Sequence, residues 1–236
     1  RSEHFAKLCS EILLAAGFKI FFLRGYRSTP ELSYAVRYTK STCGIMVTAS
    51  HNPPSDNAVK VYWSGGVQVL PPHDKGIIEK VMHVDEINRV PFHDGVQEGR
   101  VVFMEDEIDP AFVKAVLQQA TSSARELSVL YTPLHGVGAT AVCPVLQGAG
   151  FQDVRLYAPQ AEPDGDFPNV PGHVANPENP EVLTGEIEKL TNYTQRKRNL
   201  TLRKKMFEDK EDEQSIKQLE RLEQLYTLGD VNFDSV

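Results

Sequence analysis

Apolar and polar positions alternate with two different spacings in the first hundred residues, and each spacing predicts a type of element. Six apolar residues share one face of a predicted helix between Ser2, a plausible N-cap, and Gly17: Phe5, Leu8, Cys9, Ile12, Leu13 and Ala16. The largely apolar run at 19–23, K-I-F-F-L, predicts a short buried strand. Thr29 and Pro30 then predict the N-cap and first position of a second helix. Helices and strands that follow one another in this way are typical of an α/β fold.

Residues 58–63 change to a period of two, because Val59, Val61 and Trp63 fall on one side of a predicted strand. Gly65 and Gly66 predict a hairpin turn into a further strand at 67–70. A helix is expected to follow, starting at His73 and reaching residue 84. The remaining predicted elements are a helix at 107–121, strands at 127–131 and 154–157, a helix that ends near 148–150, and a helical segment that ends near 190.

A polar stretch at 85–100 has no sustained pattern and predicts a domain boundary. We therefore expect an α/β chain of two consecutive domains, 1–98 and 99–190, each with a mixed or mostly parallel sheet and crossover helices. Residues 191–236 form a charged tail in which an apolar residue recurs every third position from Ile216 to Leu225, which predicts an amphipathic helix. Because a crossover helix stands at the start with no strand before it, we expect the amino terminus to lie inside a domain.

Composition and charge narrow the class of protein. The apolar fraction is 41% and the net charge is −7, which suits packed cores and argues against a nucleic-acid-binding surface. Three cysteines without a C-x-x-C spacing are typical of a reducing compartment, and no apolar run approaches the ~20 residues that span a bilayer. We expect a cytoplasmic protein that binds neither nucleic acid nor membrane.

The residues with the most chemical information lie at 44–53, G-I-M-V-T-A-S-H-N-P. A buried strand ends there in small and polar residues, and Ser50 follows the strand's carboxyl end, where open α/β sheets bind ligands. An ordinary strand-to-loop turn would explain a serine or an asparagine but not the whole string. The segment resembles the active-site signature of the α-D-phosphohexomutases, the phosphoglucomutase and phosphomannomutase family.

That resemblance implies a role for four residues. Ser50 would be the phosphoserine nucleophile and donor, and it would bind a metal through its phosphate. His51 and Asn52 would orient the phosphate, and Lys60 would act as a cation or general base at the sugar hydroxyl. Two plainer interpretations stay open, with Lys60 as a solvated charge on a strand and His51 as a structural loop residue. Where the family carries a Y-N-G pattern, this chain has Asp56, Asn57 and Ala58.

Other stretches extend the resemblance over about residues 1–190, most of a first domain and a complete second one. They are R-S-T-P-E-L-S at 27–33, V-Y-W at 61–63, P-P-H-D-K at 71–75, T-P-L-H-G-V-G at 132–138 and E-P-D-G-D-F-P at 162–168. The stretches at 61–63 and 71–75 look like the branch that includes phosphopentomutase and glucose-1,6-bisphosphate synthase relatives. The resemblance implies Mg²⁺, a glucose 1,6-bisphosphate-type activator, and a phosphorylated hexose as substrate, with a pentose left open.

Two further motifs are interpreted as turns. Asp164-Gly165-Asp166 lacks the third aspartate and the arginine of the family's metal loop. The turn at 135–138 has neither a G-x-G-x-x-G pattern nor a P-loop lysine.

The function that the resemblance implies is the interconversion of hexose 1- and 6-phosphates through a phosphoserine and a bisphosphorylated intermediate. Because the metal and phosphate-gripping loops belong to later domains of the family, we expect the 236-residue chain alone to be nearly inactive. The alternative is a non-catalytic phosphosugar-binding or interaction module, with the helix at 216–226 as its partner surface.

Overall fold

The structure is a computed structural model that describes residues 1–170, 175–176, 179–208 and 213–227. Its helices are α1 (Ser2–Ala15), α2 (Thr29–Tyr38), α3 (His73–Met82), α4 (Phe92–Gln97), α5 (Glu105–Leu117), α6 (Ala139–Gly148), α7 (Pro180–Glu208) and α8 (Glu213–Thr227). Its strands are β1 (Ile20–Phe22), β2 (Cys43–Thr48), β3 (Ala58–Trp63), β4 (Val101–Phe103), β5 (Val129–Tyr131) and β6 (Val154–Leu156). The mixed α/β class predicted from the sequence is confirmed. None of the helices in these ranges is both long and apolar enough to cross a membrane.

The strands form three pairs. β1 pairs with β4 in parallel, β2 pairs with β3 antiparallel, and β5 pairs with β6 in parallel. The chain divides into two units, the first made of residues 1–50, 54–126 and 140–152. The second consists of the described residues within 51–53, 127–139 and 153–236.

The first unit packs its helices on the strands around a few fully buried side chains. α1 packs on β1, β2 and α4, while α2 packs on β2, β3 and α5. Leu14 of α1 and Ile108 of α5 are almost completely buried. Gly95 of α4 lies directly under Leu14, where a Cβ atom would come within 2.6 Å of a leucine methyl. Three rings, Phe22, Phe92 and Phe103, contact one another beside this core.

The second unit is built on polar as well as apolar contacts. Gln160 is completely buried, and its amide donates to a Glu186 carboxylate oxygen at 2.7 Å and to the Asn169 carbonyl at 2.9 Å. The Thr132 hydroxyl in turn donates to the side-chain oxygen of Gln160 at 2.7 Å. These bonds satisfy a buried amide that would otherwise be costly to desolvate.

The helix α7 differs from the sequence prediction, since it runs from Pro180 to Glu208 without a break at residue 190. Beyond that point Tyr193 is buried against Tyr157, with the ring centroids 4.9 Å apart and the rings nearly perpendicular. The buried aromatic pair explains why the helix continues into a segment whose sequence is mostly polar. The predicted helix near 216–226 is present as part of α8.

Candidate active site

Ser50 lies two residues past the end of β2, and its backbone adopts a left-handed conformation with φ of +57°. Its N–H donates to the Thr48 hydroxyl at 2.9 Å, which closes a short turn at the strand end. Residues other than glycine seldom adopt this conformation, and those that do cluster at functional sites. Ser50 is exposed, so the turn presents a hydroxyl-bearing residue to solvent.

The other predicted site residues lie in the same loop or on the neighbouring strand. His51 is half-buried and Asn52 is exposed. Lys60 is half-buried on β3 and pairs across the ladder with Met46, four residues before Ser50. At about 3.3 Å per residue, Met46 and its partner Lys60 therefore lie ~7 Å before the strand end at Thr48, measured along the strand. Lys60 thus lies on the strand beside the Ser50 loop and not in the loop itself.

The far side of the loop is anchored to the start of the chain by two contacts. Neither contact was predicted from the sequence. Arg1 donates from its guanidinium to the Ser55 carbonyl at 2.8 Å, and the Asn57 amide donates to the Ser2 hydroxyl at 3.1 Å. The prediction of Ser2 as an N-cap was wrong, since it already lies in α1 and its hydroxyl accepts this bond. Ala58 begins β3 without a positive φ, so its position does not require a glycine.

A second group of charges joins α2 to α5. The Arg27 guanidinium donates to both carboxylate oxygens of Asp109, at 2.8 Å and 2.5 Å, and this bond raises the pKa of Arg27. Glu31, only 2% exposed, lies beside them, and burial together with the Asp109 charge raises its pKa to about 7. Because Glu31 is inaccessible to solvent, we interpret this cluster as structural.

The start of α2 also corrects a prediction. Ser28, not Thr29, is the N-cap, and its hydroxyl accepts a weak hydrogen bond from the Glu31 N–H at 3.4 Å. Thr29 is already helical, with Pro30 next in the first turn. The proline ring suits either of the first positions, so the dipeptide alone did not fix the cap to one residue.

Both motifs interpreted as turns are turns. The Asp166 N–H donates to a side-chain oxygen of Asp164 at 2.9 Å. At 133–136 the Gly136 N–H donates to the Pro133 carbonyl at 2.8 Å, with Leu134 and His135 both left-handed. No group of three or more His, Cys, Asp or Glu side chains within the described ranges is arranged to hold a metal ion.

The fold and the serine turn define an α/β protein with an exposed serine in a turn at a strand end, and comparison with known proteins identifies its family. Residues 1–88 match the model of phosphoglucomutase/phosphomannomutase alpha/beta/alpha domain I, and residues 110–198 match that of domain II. The chain therefore belongs to the α-D-phosphohexomutase family. The second match continues eight residues past Leu190, the expected end of the resemblance.

Individual relatives agree with this assignment. The chain is 37% identical over 180 residues to a Haemophilus influenzae protein named "Probable phosphomannomutase", covering 75% of this chain and 36% of the relative. It is 32% identical over 187 residues to a Staphylococcus saprophyticus phosphoglucomutase, covering 78% of this chain and 34% of the relative.

Among solved structures, a Thermus thermophilus protein described as "putative phosphomannomutase" has a TM-score of 0.56 and 27% sequence identity. That match covers 71% of this chain and 36% of the other. The chain thus spans about a third of the length of the curated relatives it matches.

Proposed function

We propose that this chain carries the phosphoserine part of a phosphosugar mutase, an intramolecular phosphotransferase that interconverts hexose 1-phosphate and hexose 6-phosphate. The observation that carries the proposal is Ser50, exposed in a left-handed turn directly after β2 in a chain of this family. Family membership supplies the type of reaction, and the turn supplies a residue able to carry the phosphoryl group.

Two transfers complete the proposed reaction. In the first, the bond from phosphorus to the Ser50 Oγ breaks while a bond forms to the free hydroxyl of the sugar phosphate. With Lys60 as the cation or general base at that hydroxyl, the hydroxyl proton passes to the Ser50 Oγ. In the second, the bisphosphorylated sugar has turned around, its other phosphoryl group is transferred to the Ser50 Oγ, and the serine proton passes to the sugar oxygen left behind. His51 and Asn52 hydrogen-bond the phosphate through both transfers. Catalysis of this kind depends on positioning and on charge stabilisation.

The proposed reaction also involves an activator and a metal ion. A glucose 1,6-bisphosphate-type activator would place the first phosphoryl group on Ser50. Magnesium would take an oxygen of that phosphate, but the described residues add no cluster to complete the six oxygens it requires. We therefore assign the ion no step among this chain's own residues.

The substrate and the setting are proposed on similar grounds. We propose a phosphorylated hexose as the substrate. A pentose phosphate is the alternative, because the stretches at 61–63 and 71–75 resemble the branch that includes phosphopentomutases. The three cysteines are all free thiols, which supports a reducing, cytoplasmic setting. We also propose that the 236-residue chain turns over little or no substrate alone, because it spans about a third of its relatives.

Uptake of phosphate by Ser50 tests the function directly. We expect prolonged incubation with glucose 1,6-bisphosphate to add one phosphoryl group to the chain, slowly because the chain spans only about a third of its relatives, and mass spectrometry of its peptides should locate the group at Ser50. Ser50→Ala should abolish this addition, since no hydroxyl remains to accept it. Ser55→Ala is the matched control, because Ser55 is another exposed serine of the same loop. In a coupled assay with glucose 1-phosphate, the chain alone should show almost no turnover.

Binding of sugar phosphate without any transfer to Ser50 would contradict the mutase proposal and favour the non-catalytic module. For that alternative, the partner surface at 216–226 stays a prediction. Part of this helix surface is covered by the chain itself, because Leu219 is buried where α8 packs along α7. Lys204 also pairs with Glu220 at 2.9 Å between these helices.

A further inference from the structure

Thr48 occupies the last position of β2 and accepts the N–H of Ser50 at 2.9 Å. This bond spans two residues and closes a turn of the kind that serine and threonine hydroxyls form with the backbone. Ser50 adopts its left-handed φ of +57° within this turn. A left-handed backbone at a residue other than glycine is unfavourable and persists only where surrounding contacts hold it.

The same arrangement occurs a second time in the chain. Thr132 directly follows β5, and its hydroxyl accepts the N–H of Leu134 at 3.0 Å. Leu134 is left-handed too, with φ of +51°. In both cases a threonine at a strand end accepts the N–H of the residue two positions later. That later residue is left-handed, a conformation that residues with a side chain disfavour. The repetition indicates that the threonine hydroxyl, not a property of serine, holds the turn.

We propose that Thr48 is a positioning residue for phosphoryl transfer at Ser50. By accepting the Ser50 N–H, its hydroxyl holds the backbone turned at the strand end and so fixes where the phosphoserine stands. Strained turns that expose a nucleophile at the end of a strand serve this purpose in other enzymes. The inference rests on the proposed function, because it assigns Thr48 a part in the transfer that Ser50 is proposed to perform.

Two substitutions separate the hydroxyl from the shape of the side chain. Thr48→Val keeps the branched shape that suits a strand but cannot accept the hydrogen bond, whereas Thr48→Ser keeps the oxygen. Initial rates of Ser50 phosphorylation by glucose 1,6-bisphosphate are measured by mass spectrometry over a range of bisphosphate concentrations. We expect Thr48→Val to lower the maximal rate about tenfold, the effect of losing one positioning bond. The concentration that gives half of this rate should stay unchanged, and Thr48→Ser should remain within about twofold of the original chain.

A second measurement follows the turn without any chemistry. Amide hydrogen exchange of ¹⁵N-labelled protein should be about fivefold or more faster at Ser50 in Thr48→Val than in the original chain. The Leu134 amide, held by the unchanged Thr132, is the internal reference and should not change.

The outcomes separate the two proposals. A Thr48→Val chain that accepts phosphate at the original rate, or whose Ser50 amide exchanges as before, overturns the role of Thr48. If the original chain accepts no phosphate, the proposed function fails and the assigned part in transfer fails with it. The exchange rates then still show whether the threonine holds the turn.

Discussion

Glu31 is a carboxyl group enclosed at the start of a helix, and its environment makes stability depend on pH. Burial and the neighbouring Asp109 raise its pKa to about 7, while Arg27 offsets this only in part. One of its carboxylate oxygens is buried without a hydrogen-bond partner. A proton on Glu31 therefore favours the folded state.

The sign of the effect follows from the two states of the chain. In the unfolded chain Glu31 loses its proton near its ordinary pKa of 4.5, whereas in the folded chain it keeps the proton until about pH 7. The stability that the proton provides is complete below pH 4.5 and is lost as the pH rises to 7. Its full size is of order 3 kcal/mol.

Glu31→Gln should remove this dependence, because a neutral amide has no charge to desolvate. We expect the variant to be more stable than the original chain at pH 8 and about equally stable at pH 5, as measured by urea unfolding. Glu79→Gln, at an exposed position on α3, is the control and should leave the pH profile unchanged. A larger gain at pH 5 than at pH 8 would contradict the expected sign.

At the scale of elements, α2 approaches β2 closely at one buried glycine. A Cβ atom on Gly44 would overlap a methyl group of Val36, which is 3% exposed. The close approach positions the strand that leads into the Ser50 turn. Gly44 therefore has a packing reason to be a glycine, although its φ is not positive.

Gly44→Ala is expected to lower the free energy of unfolding by about 1–3 kcal/mol, the usual cost of overpacking a core. Urea unfolding at constant pH measures it. Gly76→Ala is the matched control, because Gly76 lies in α3 and a Cβ there meets no atom within 4 Å. The control should be neutral or up to about 1 kcal/mol more stable, as alanine favours a helix over glycine. Equal losses in both variants would refute the packing explanation.

At the scale of the whole molecule, the second unit depends on residues beyond 190. Tyr193 is buried against Tyr157, and Lys197 lies over the Tyr193 ring at 5.4 Å. A chain cut at 190 loses these contacts, whereas one cut at 208 keeps the whole of α7. The domain boundary at residue 190 stays a prediction, and the contacts of Tyr193 make it testable.

We expect a chain of residues 1–190 to unfold about 5–10 °C below a chain of residues 1–208, because each kilocalorie per mole shifts the midpoint by about 2–4 °C at this size. Near-ultraviolet circular dichroism on heating follows the tyrosine packing directly. Comparison of 1–208 with the full chain isolates the contribution of α8. Equal midpoints for the two shortened chains would support the boundary at 190.

Elements with a regular pattern were predictable from the sequence, whereas those fixed by distant partners were not. The strand at 58–63 was predicted at its observed bounds because its residues alternate. The turn after it is present, with the Trp63 N–H donating to the Val67 carbonyl at 2.9 Å, but the strand predicted at 67–70 is reduced to one isolated bridge between Tyr62 and Gln68. The short strand β4 was missed, as was α4. β4 has only three residues, and its partner β1 lies about eighty positions earlier.

The assignment of the site residues rests on family resemblance and stays a prediction, whereas the geometry around them could not be predicted from the sequence. The string around Ser50 indicates its chemistry through family resemblance. A left-handed backbone is usually signalled by glycine, and Ser50 gives no such signal. The Thr48 bond depends on where β2 ends, and element ends are the least certain part of a sequence prediction.

The pairing of β1 with β4 has a consequence for the way the chain is made. In this pair Ile20 lies opposite Val101, so the partners are far apart along the chain. In the pair of β5 and β6, Val129 lies opposite Val154, which is much closer in sequence. At roughly 5–20 residues per second, a ribosome needs on the order of ten seconds between the two strands of the first pair. During that time Ile20–Phe22 has been synthesised but its partner has not. The antiparallel hairpin of β2 and β3 needs only the nine residues between Thr48 and Ala58, so we expect the serine turn to form on the nascent chain before its own unit closes.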